Sequence, residues 1–162
     1  MKKFFIIIIC ILILFVYQMT KTNGASLKPV STDFVVINNQ KVFLDVADTR
    51  EKVTQGLMGI DSIAENQGMV FLFKKSDYKT FWMKNMKIPL DIVFISNEKI
   101  AKIYNEVPVC EKYPCPLYES KYKIDSVIEF KNGFCEKYNV KIGDKITFSR
   151  NIKLKKAGLK EN

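Results

Sequence analysis

Short apolar runs follow one another along the body of the chain, and most alternate with polar positions, which predicts β-strands. The predicted strands cover residues 34–37, 41–47, 68–73, 79–83, 90–95, 99–104, 124–130 and 145–149. Two short helices are predicted, one over 49–58 after a capping box with Asp48 as N-cap and Glu51 at N3, and one over 133–138. Strands and helices do not alternate regularly, which argues against a doubly wound parallel sheet. The pattern predicts a mainly β fold, a jelly-roll-like sandwich or compact β-roll with two short helices.

An unbroken apolar run covers residues 4–17, directly after Lys2 and Lys3. Two lysines before a run of this length are typical of a signal peptide or an uncleaved signal anchor, and the run is short for a stable transmembrane helix. We therefore predict four parts: a signal peptide or anchor over 1–20, a linker over 21–31, a single β domain over 32–149 and a basic tail over 150–162. The domain would lie in the periplasm or on the extracytoplasmic face of the membrane.

The formal charge of +9 resides mainly at the ends of the chain. Residues 31–149 contain 17 Lys and Arg against 16 Asp and Glu. A nucleic-acid-binding domain is expected to have its basic stripe on the folded body, so we predict no nucleic-acid partner. The tail over 150–162 could contact an anionic membrane surface, but we favour a solvated, frayed terminus.

The sequence contains no histidine. This excludes Ser-His-Asp and Cys-His enzymes, and it also excludes a zinc site built on histidine. A copper(I) site built from methionine and cysteine is the remaining metal hypothesis. Its candidates are Met58, Met69, Met83, Met86, Cys110 and Cys115. Three of these methionines belong to apolar helix and strand runs, so we predict core packing and no metal or other cofactor.

The segment over residues 81–95, FWMKNMKIPLDIVFI, places charged side chains inside an apolar run. An unpaired buried charge is costly, so these side chains need partners or a function. We predict a hairpin in which Lys84 faces Asp91 and Trp82 faces Val93. One face would then be apolar core, and the other would hold Trp82, Lys84 and Asp91.

Three interpretations of the polar face remain open. A Lys84–Asp91 ion pair would fix the register of the hairpin. A ligand groove would use Trp82 for stacking, Lys84 for an anionic group, and Asn85 and Asp91 for hydroxyls or amides. A general acid–base role would fall to Asp91, or to Glu106 in the following loop.

The long loop over residues 105–123 contains three prolines and two cysteines. In an exported protein, Cys110 and Cys115 are expected to form a local disulfide. The Cys-x-x-Cys spacing of redox enzymes is absent from this loop, which argues against a redox role. We expect Cys135, in the second predicted helix, to be a buried free thiol.

Five segments occur in order along the body: GLMG, GMVFLF, FWMKNMKIPLDIVFI, VPVCEKYPCPLY and VKIGDKITF. Together they resemble the bacterial and archaeal family known as domain of unknown function 192, over roughly residues 34–149. The resemblance implies a compact jelly-roll-like β fold, often behind a signal peptide or membrane anchor. It implies no established activity or ligand.

We therefore predict an exported or membrane-anchored envelope domain that binds a small polar or anionic ligand near Trp82, Lys84, Asn85 and Asp91. One alternative is a histidine-free envelope enzyme that uses Asp91 or Glu106 as acid and base. The other is a purely structural or partner-binding domain. We favour a binding domain over an enzyme because no second carboxylate stands in a defined relation to Asp91.

Overall fold

The computed structural model describes residues 31–158. The strands are β1 (Phe34–Ile37), β2 (Gln40–Ala47), β3 (Gln67–Asp77), β4 (Thr80–Trp82), β5 (Leu90–Ser96), β6 (Lys99–Val107), β7 (Leu117–Glu119), β8 (Ile124–Lys131) and β9 (Ile146–Phe148). The helices are α1 (Arg50–Gln55), α2 (Phe134–Lys137) and α3 (Arg150–Lys156). The mainly β fold is confirmed, and within the described residues it has one helix more than predicted.

The predicted signal segment over 1–20 lies outside the described residues, as does the linker except for Ser31. Among residues 31–158, no helix has the length and apolar character needed to cross a membrane.

Seven strands form one curled sheet in the order β6-β5-β8-β3-β2-β1-β9. Every neighbouring pair is antiparallel except β2 and β3, which run parallel and are connected through α1. The two edges approach each other, because Ile146 N–H donates to the Glu98 carbonyl at 2.9 Å and Ile100 N–H donates to the Asp144 carbonyl at 3.0 Å. Strands β4 and β7 form a separate two-stranded ribbon.

The sheet buries both of its faces. One face packs against α2 and α3, and we call it the first core; it includes Leu44, Val70, Val93, Ile128, Phe134 and Ile152. The other face packs against the segment around α1 and against the ribbon, and we call it the second core; it includes Leu57, Phe71, Met83, Ile92 and Phe94. Side chains of one strand alternate between the two cores, because successive residues of a strand point to opposite faces.

Helix α1 begins one residue later than the capping-box pattern predicts. Thr49, and not Asp48, is the N-cap, and its hydroxyl accepts a hydrogen bond of 3.3 Å from the Lys52 N–H. The helix ends at Gly56, whose φ of 48° lies in the left-handed region that favours glycine. Leu57 follows directly and is buried in the second core. The short helix therefore covers the sheet near Phe71 of β3, against whose ring Gly56 lies.

The C-terminal segment differs from the frayed tail expected from its composition. Residues 150–156 form α3, and Ile152 is fully buried in the first core. Lys156 pairs with Asp125 at 2.7 Å, and Lys155 pairs with Asp33 at 2.8 Å. Apolar burial and these two ion pairs attach the helix to the sheet. The high lysine content of the segment gives no indication of this packing.

Candidate functional site

The predicted hairpin between residues 79–83 and 90–95 does not form. β4 pairs with β7, with Trp82 opposite Leu117, whereas β5 pairs with β6 and β8. The predicted apolar grouping nevertheless holds, because Phe81 and Met83 pack in the second core with Phe94. The Phe81 and Phe94 rings meet edge to face at 5.7 Å. Residues 83–89 thus connect the ribbon to the sheet. Lys84 therefore does not face Asp91.

Asp91 is fully buried and lies on the side of the first core. Its carboxylate accepts hydrogen bonds from three backbone N–H groups: Glu106 at 2.8 Å, Gly133 at 3.2 Å and Cys135 at 2.8 Å. Backbone N–H groups satisfy a buried carboxylate without a counter-ion. Asp91 therefore connects β5 to β6 and to the start of α2, and these contacts replace the predicted Lys84–Asp91 ion pair.

The other predicted site residues lie at the surface. Lys84 is exposed, and its Nζ lies 5.1 Å from the centroid of the Trp82 ring. Asn85 is exposed with a φ of 58°, and its carbonyl accepts a hydrogen bond of 3.1 Å from the Gly59 N–H. Glu106 is also exposed, and it contacts Asp91 through its backbone and not through its carboxylate. The structure thus brings Trp82 and Lys84 together and separates both from Asp91.

A second buried carboxyl group occupies the opposite face of the sheet. Glu129 in β8 is 5% exposed, and its Oε2 has no hydrogen-bond partner. It pairs in register with Ile92 of β5 and Met69 of β3, so its side chain is directed toward the second core. Burial raises the pKa of Glu129 to about 8. The group is therefore mainly protonated at neutral pH, and its Oε2 lacks a hydrogen-bond partner.

Glu129 lines a cavity of about 40 Å³ beneath α1. The cavity is also lined by Trp82 and Met86, by the aromatic rings of Phe71 and Phe81, and by the segment over 53–58. A space of this size holds one small polar group or about two water molecules. Trp82 is 42% exposed, so it connects the cavity to the surface. The residues that line this cavity come from α1, β3, β4 and β8.

A larger groove of about 540 Å³ adjoins the cavity, and the two share Gln55 and Gly56 as lining residues. The groove is lined by the two ends of α1 and by β2 and β3. Asp45 lies in it, and desolvation by burial raises the pKa of this carboxyl while nearby Lys52 lowers it. Grooves of a few hundred Å³ are the usual size of small-ligand sites. We call the cavity and the groove together the α1 groove.

The long loop contains the predicted disulfide between Cys110 and Cys115, with their Cα atoms 5.5 Å apart. Cys110 packs against the second core, next to which the ribbon also lies. Cys135 is a buried free thiol, as predicted, and burial together with the neighbouring Asp91 raises the pKa of its thiol. Cys135 is therefore an unreactive thiol, because the thiolate is the nucleophilic form of cysteine.

The methionine and cysteine candidates for a copper(I) site include residues that belong to the core. No group of three or more His, Cys, Asp or Glu residues among residues 31–158 could hold a metal ion. Met83 is buried in the second core, and Met69 packs against it from β3.

Sequence reasoning missed Glu129 and Asp45 as members of the candidate site. The signal for Glu129 is present, because the segment IDSVIEF places this carboxylate among Val127, Ile128 and Phe130. The cost of burying an unpaired charge, which singled out Asp91, applies equally to this glutamate. Asp45 gave no such signal, since it occupies a polar position in the alternating pattern of β2.

Comparison with known proteins identifies a family and a fold. Residues 34–148 match the model of the family DUF192, described as an uncharacterized ACR. No curated protein sequence matches the chain significantly.

Two solved structures share the fold. One is a protein from Sinorhizobium meliloti 1021 provisionally described as a transcription regulator, with 23% identity, a TM-score of 0.66, and coverage of 75% of this chain and 98% of its own. The other is a protein of unknown function from Novosphingobium aromaticivorans DSM 12444, with 25% identity, a TM-score of 0.65, and coverage of 78% and 94%. The predicted family is confirmed, and the chain belongs to DUF192.

Proposed function

We propose that this protein is an exported domain that binds a small polar ligand in the α1 groove. One observation carries the proposal: Glu129 Oε2 is buried without a hydrogen-bond partner and lines a cavity beside the half-exposed Trp82. A buried polar group without a partner costs about 1–3 kcal/mol of stability. A ligand that supplied the missing partner would recover that free energy on binding.

The dimensions and composition of the α1 groove support this proposal. The cavity of about 40 Å³ accommodates one functional group, and the adjoining groove of about 540 Å³ accommodates the remainder of a metabolite-sized molecule. Phe71, Phe81 and Met86 supply apolar contact area in the cavity. Buried polar groups then select the ligand, because an analogue that leaves Glu129 unpartnered gains less on binding.

In this proposal Trp82 has the stacking role predicted from the sequence, and Lys84 contacts the ligand beside it. The Lys84 Nζ lies 5.1 Å from the indole centroid, which is within the range of a cation–π interaction. Lys84 can therefore contact an anionic part of a ligand at the mouth of the cavity. Asp91 receives no ligand role in this proposal, because three backbone N–H groups occupy its carboxylate on the opposite face of the sheet.

The export component of the proposal is supported by the Cys110–Cys115 disulfide, since disulfides persist in oxidising compartments. The apolar run over residues 4–17 after two lysines supports it independently. A fusion of alkaline phosphatase to the C-terminus tests this component, because the phosphatase is active only outside the cytoplasm. Strong activity is expected, and activity at the level of a fusion that lacks residues 1–20 would contradict export.

The binding component is tested with the purified full-length chain. Thermal shift and native mass spectrometry against a panel of envelope metabolites should yield at least one ligand that raises the melting temperature. Trp82→Ala and Glu129→Gln should each weaken the dissociation constant of that ligand about tenfold or more, as expected for residues central to an interface. Glu129→Gln preserves the shape and the neutral state of the side chain, so it should leave the fold intact.

Tyr113→Ala is the matched control for Trp82→Ala. Tyr113 is an aromatic residue that is 76% exposed on the disulfide loop and does not line the α1 groove. Its removal should leave the ligand affinity within about twofold, a change well below 1 kcal/mol. A ligand that binds equally well to the wild type, Trp82→Ala and Glu129→Gln would place the binding site elsewhere and overturn the proposal.

An acid–base enzyme is the second candidate function, and the raised pKa of Glu129, about 8, favours it. A carboxyl group that titrates near neutral pH in a recess is suited to general acid–base catalysis. This candidate replaces Asp91 and Glu106 by Glu129 in the catalytic role. If the bound ligand were turned over, Glu129→Gln would abolish turnover while Trp82→Ala would raise KM.

A further inference from the structure

The charged side chains that line the α1 groove are predominantly acidic. They are Asp45, Glu51 and Glu129 against the single basic residue Lys52. Glu51 is already engaged at the start of α1, where its own backbone N–H and Thr49 lower its pKa. Among the carboxyls that line the groove, Asp45 and Glu129 are the two whose pKa is raised, with burial as the largest cause, and Glu129 Oε2 also lacks a hydrogen-bond partner.

The sheet register aligns these two carboxyls. Asp45 pairs with Met69, and Met69 pairs with Glu129, so the three residues form one row across β2, β3 and β8. Side chains of one row in register project from the same face of a sheet. Neighbouring strands are about 4.8 Å apart, which separates the Asp45 and Glu129 backbones by about 10 Å. One carboxyl is therefore in the cavity and the other is in the groove that continues from it.

An amino group fits the requirements of the cavity better than a neutral hydroxyl or an anion does. It supplies hydrogen-bond donors to the unpartnered Glu129 Oε2, and its positive charge compensates a buried carboxylate. Phe71, Phe81 and Trp82 also line the cavity, and aromatic side chains are favourable surroundings for a cation. A carboxylate or phosphate in the same place would meet Glu129 without any compensating donor.

We propose that the ligand is an aliphatic amine whose ammonium group binds Glu129 in the cavity and whose second amino group reaches Asp45 in the groove. This inference rests on the proposed function of the α1 groove and names its ligand class. The protonated Glu129 carboxyl loses its proton to solvent as the ammonium group enters, so the complex contains a carboxylate–ammonium pair. The alkyl chain between the amino groups lies over Met69, which separates the two carboxyls in the row.

The test uses hexane-diamine, hexylamine and hexanediol as probes of equal chain length, titrated by calorimetry into the purified full-length chain. The diamine should bind at least tenfold more tightly than the monoamine, and the diol should bind most weakly. Glu129→Gln should weaken both amines tenfold or more without weakening the diol. Asp45→Asn should weaken the diamine and leave the monoamine unchanged.

Glu136→Gln is the charge-matched control, because Glu136 is an exposed glutamate on α2 and packs on the other side of the sheet. It should not change the affinity for any of the three probes. Equal affinities for the diamine and the diol would overturn the inference, as would an equal loss of diamine binding in Glu136→Gln and Glu129→Gln. A diamine that binds no more tightly than the monoamine would overturn the contact with Asp45.

The outcome also separates this inference from the proposed function. Suppose that no amine binds but a neutral metabolite binds in a manner that depends on Trp82 and Glu129. The α1 groove would then remain a ligand site, and only the amine class would be overturned. If neither the amines nor any metabolite responded to Trp82→Ala and Glu129→Gln, both proposals would fail.

Discussion

The carboxylate of Asp91 accepts a 2.8 Å hydrogen bond from the backbone N–H of Cys135, which connects the start of β5 to the first turn of α2. The same carboxylate accepts from the N–H groups of Gly133 and Glu106. One fully buried side chain thereby attaches the start of α2 to β5 and also binds the backbone of the neighbouring strand β6. Asp91 is a structural residue of this protein.

Substitution of Asp91 should therefore be among the most destabilising single changes in the domain. Asp91→Asn replaces one acceptor oxygen by an NH₂ donor, which would face a backbone N–H group that also donates. We expect the free energy of unfolding in urea to fall by about 3 kcal/mol, as for other buried charged hydrogen bonds that lose a partner. Glu106→Gln should change it by less than about 0.5 kcal/mol, because only the backbone of Glu106 contacts Asp91. Equal effects of the two variants would contradict this assignment.

Glu129 should make the stability of the domain depend on pH. In the unfolded chain its carboxyl titrates near its ordinary pKa of 4.5, whereas burial raises its pKa to about 8 in the folded state. The folded state binds more protons between these values, so the free energy of unfolding should fall as the pH rises from about 4.5 to about 8 and then level off.

The charged groups nearest to Glu129 in the α1 groove are Asp45, Glu51 and Lys52, and Lys84 lies on Trp82 at its mouth. Glu129→Gln should remove most of the fall and leave the part that comes from Asp45, whose pKa is also raised, and the variant should become several kcal/mol more stable than the wild type above pH 8. Chemical denaturation at a series of pH values measures this. The same slope in the wild type and in Glu129→Gln would rule out this carboxyl as its source.

The disulfide can be checked directly by peptide mapping. Trypsin cleaves after Lys112, between the two cysteines, so the peptides that contain Cys110 and Cys115 should remain linked without reductant and separate with it. Replacement of both cysteines by serine should lower the free energy of unfolding by about 2 kcal/mol, given the short loop that they close. Recovery of two unlinked peptides from unreduced, alkylated protein would contradict the bridge.

Cys135 should resist thiol reagents until the protein unfolds. The thiol is buried, and burial and Asp91 both raise its pKa, so its thiolate form is scarce. Labelling with a maleimide should leave the peptide that contains Cys135 unmodified in the native protein and modify it fully in denaturant. Rapid modification under native conditions would show that α2 opens readily.

Helix α3 should contribute to the stability of the whole domain. Ile152→Ala should cost about 2–4 kcal/mol, because Ile152 is fully buried in the first core. Lys153→Ala, one position away, should cost less than about 0.5 kcal/mol, since Lys153 makes only an exposed ion pair with Glu98. Thermal denaturation of the two variants compares them. A solvated, frayed tail would make both substitutions neutral.

Much of the fold could be predicted because the strand pattern is local. The apolar runs over 34–37, 68–73 and 124–130 fall within β1, β3 and β8 almost unchanged, and the turn residues between them mark the ends of the strands. The family resemblance rests on the same segments, and the match over residues 34–148 confirms it. The boundary errors are small, as at Thr49, where two adjacent residues were both competent N-caps.

The predicted strand pairing is the part of the sequence-based prediction that differs most from the structure. A short polar loop between 79–83 and 90–95 favours a hairpin, because consecutive strands usually pair. Here β4 pairs with β7 instead, so Trp82 and Asp91 were assigned to one surface when they lie on different sides of the sheet. Residues 90–95 are buried on both faces of the sheet. Polar and apolar residues therefore do not alternate along this strand, and the sequence does not show which elements pack on each face.

The sequence by itself determined that this chain forms a β domain, that Cys110 and Cys115 are close enough to bridge, and that carboxylates within apolar strands need an explanation. These are consequences of short-range patterning and of the cost of burying charge. Only the tertiary structure decided which carboxylate is satisfied and which is not. Asp91 accepts hydrogen bonds from three backbone N–H groups of distant segments, whereas Glu129 Oε2 has no hydrogen-bond partner and lines the cavity beside Trp82. The hydrogen-bond partners of a buried group depend on long-range packing, and that packing separates the structural carboxylate from the one that we propose binds a ligand.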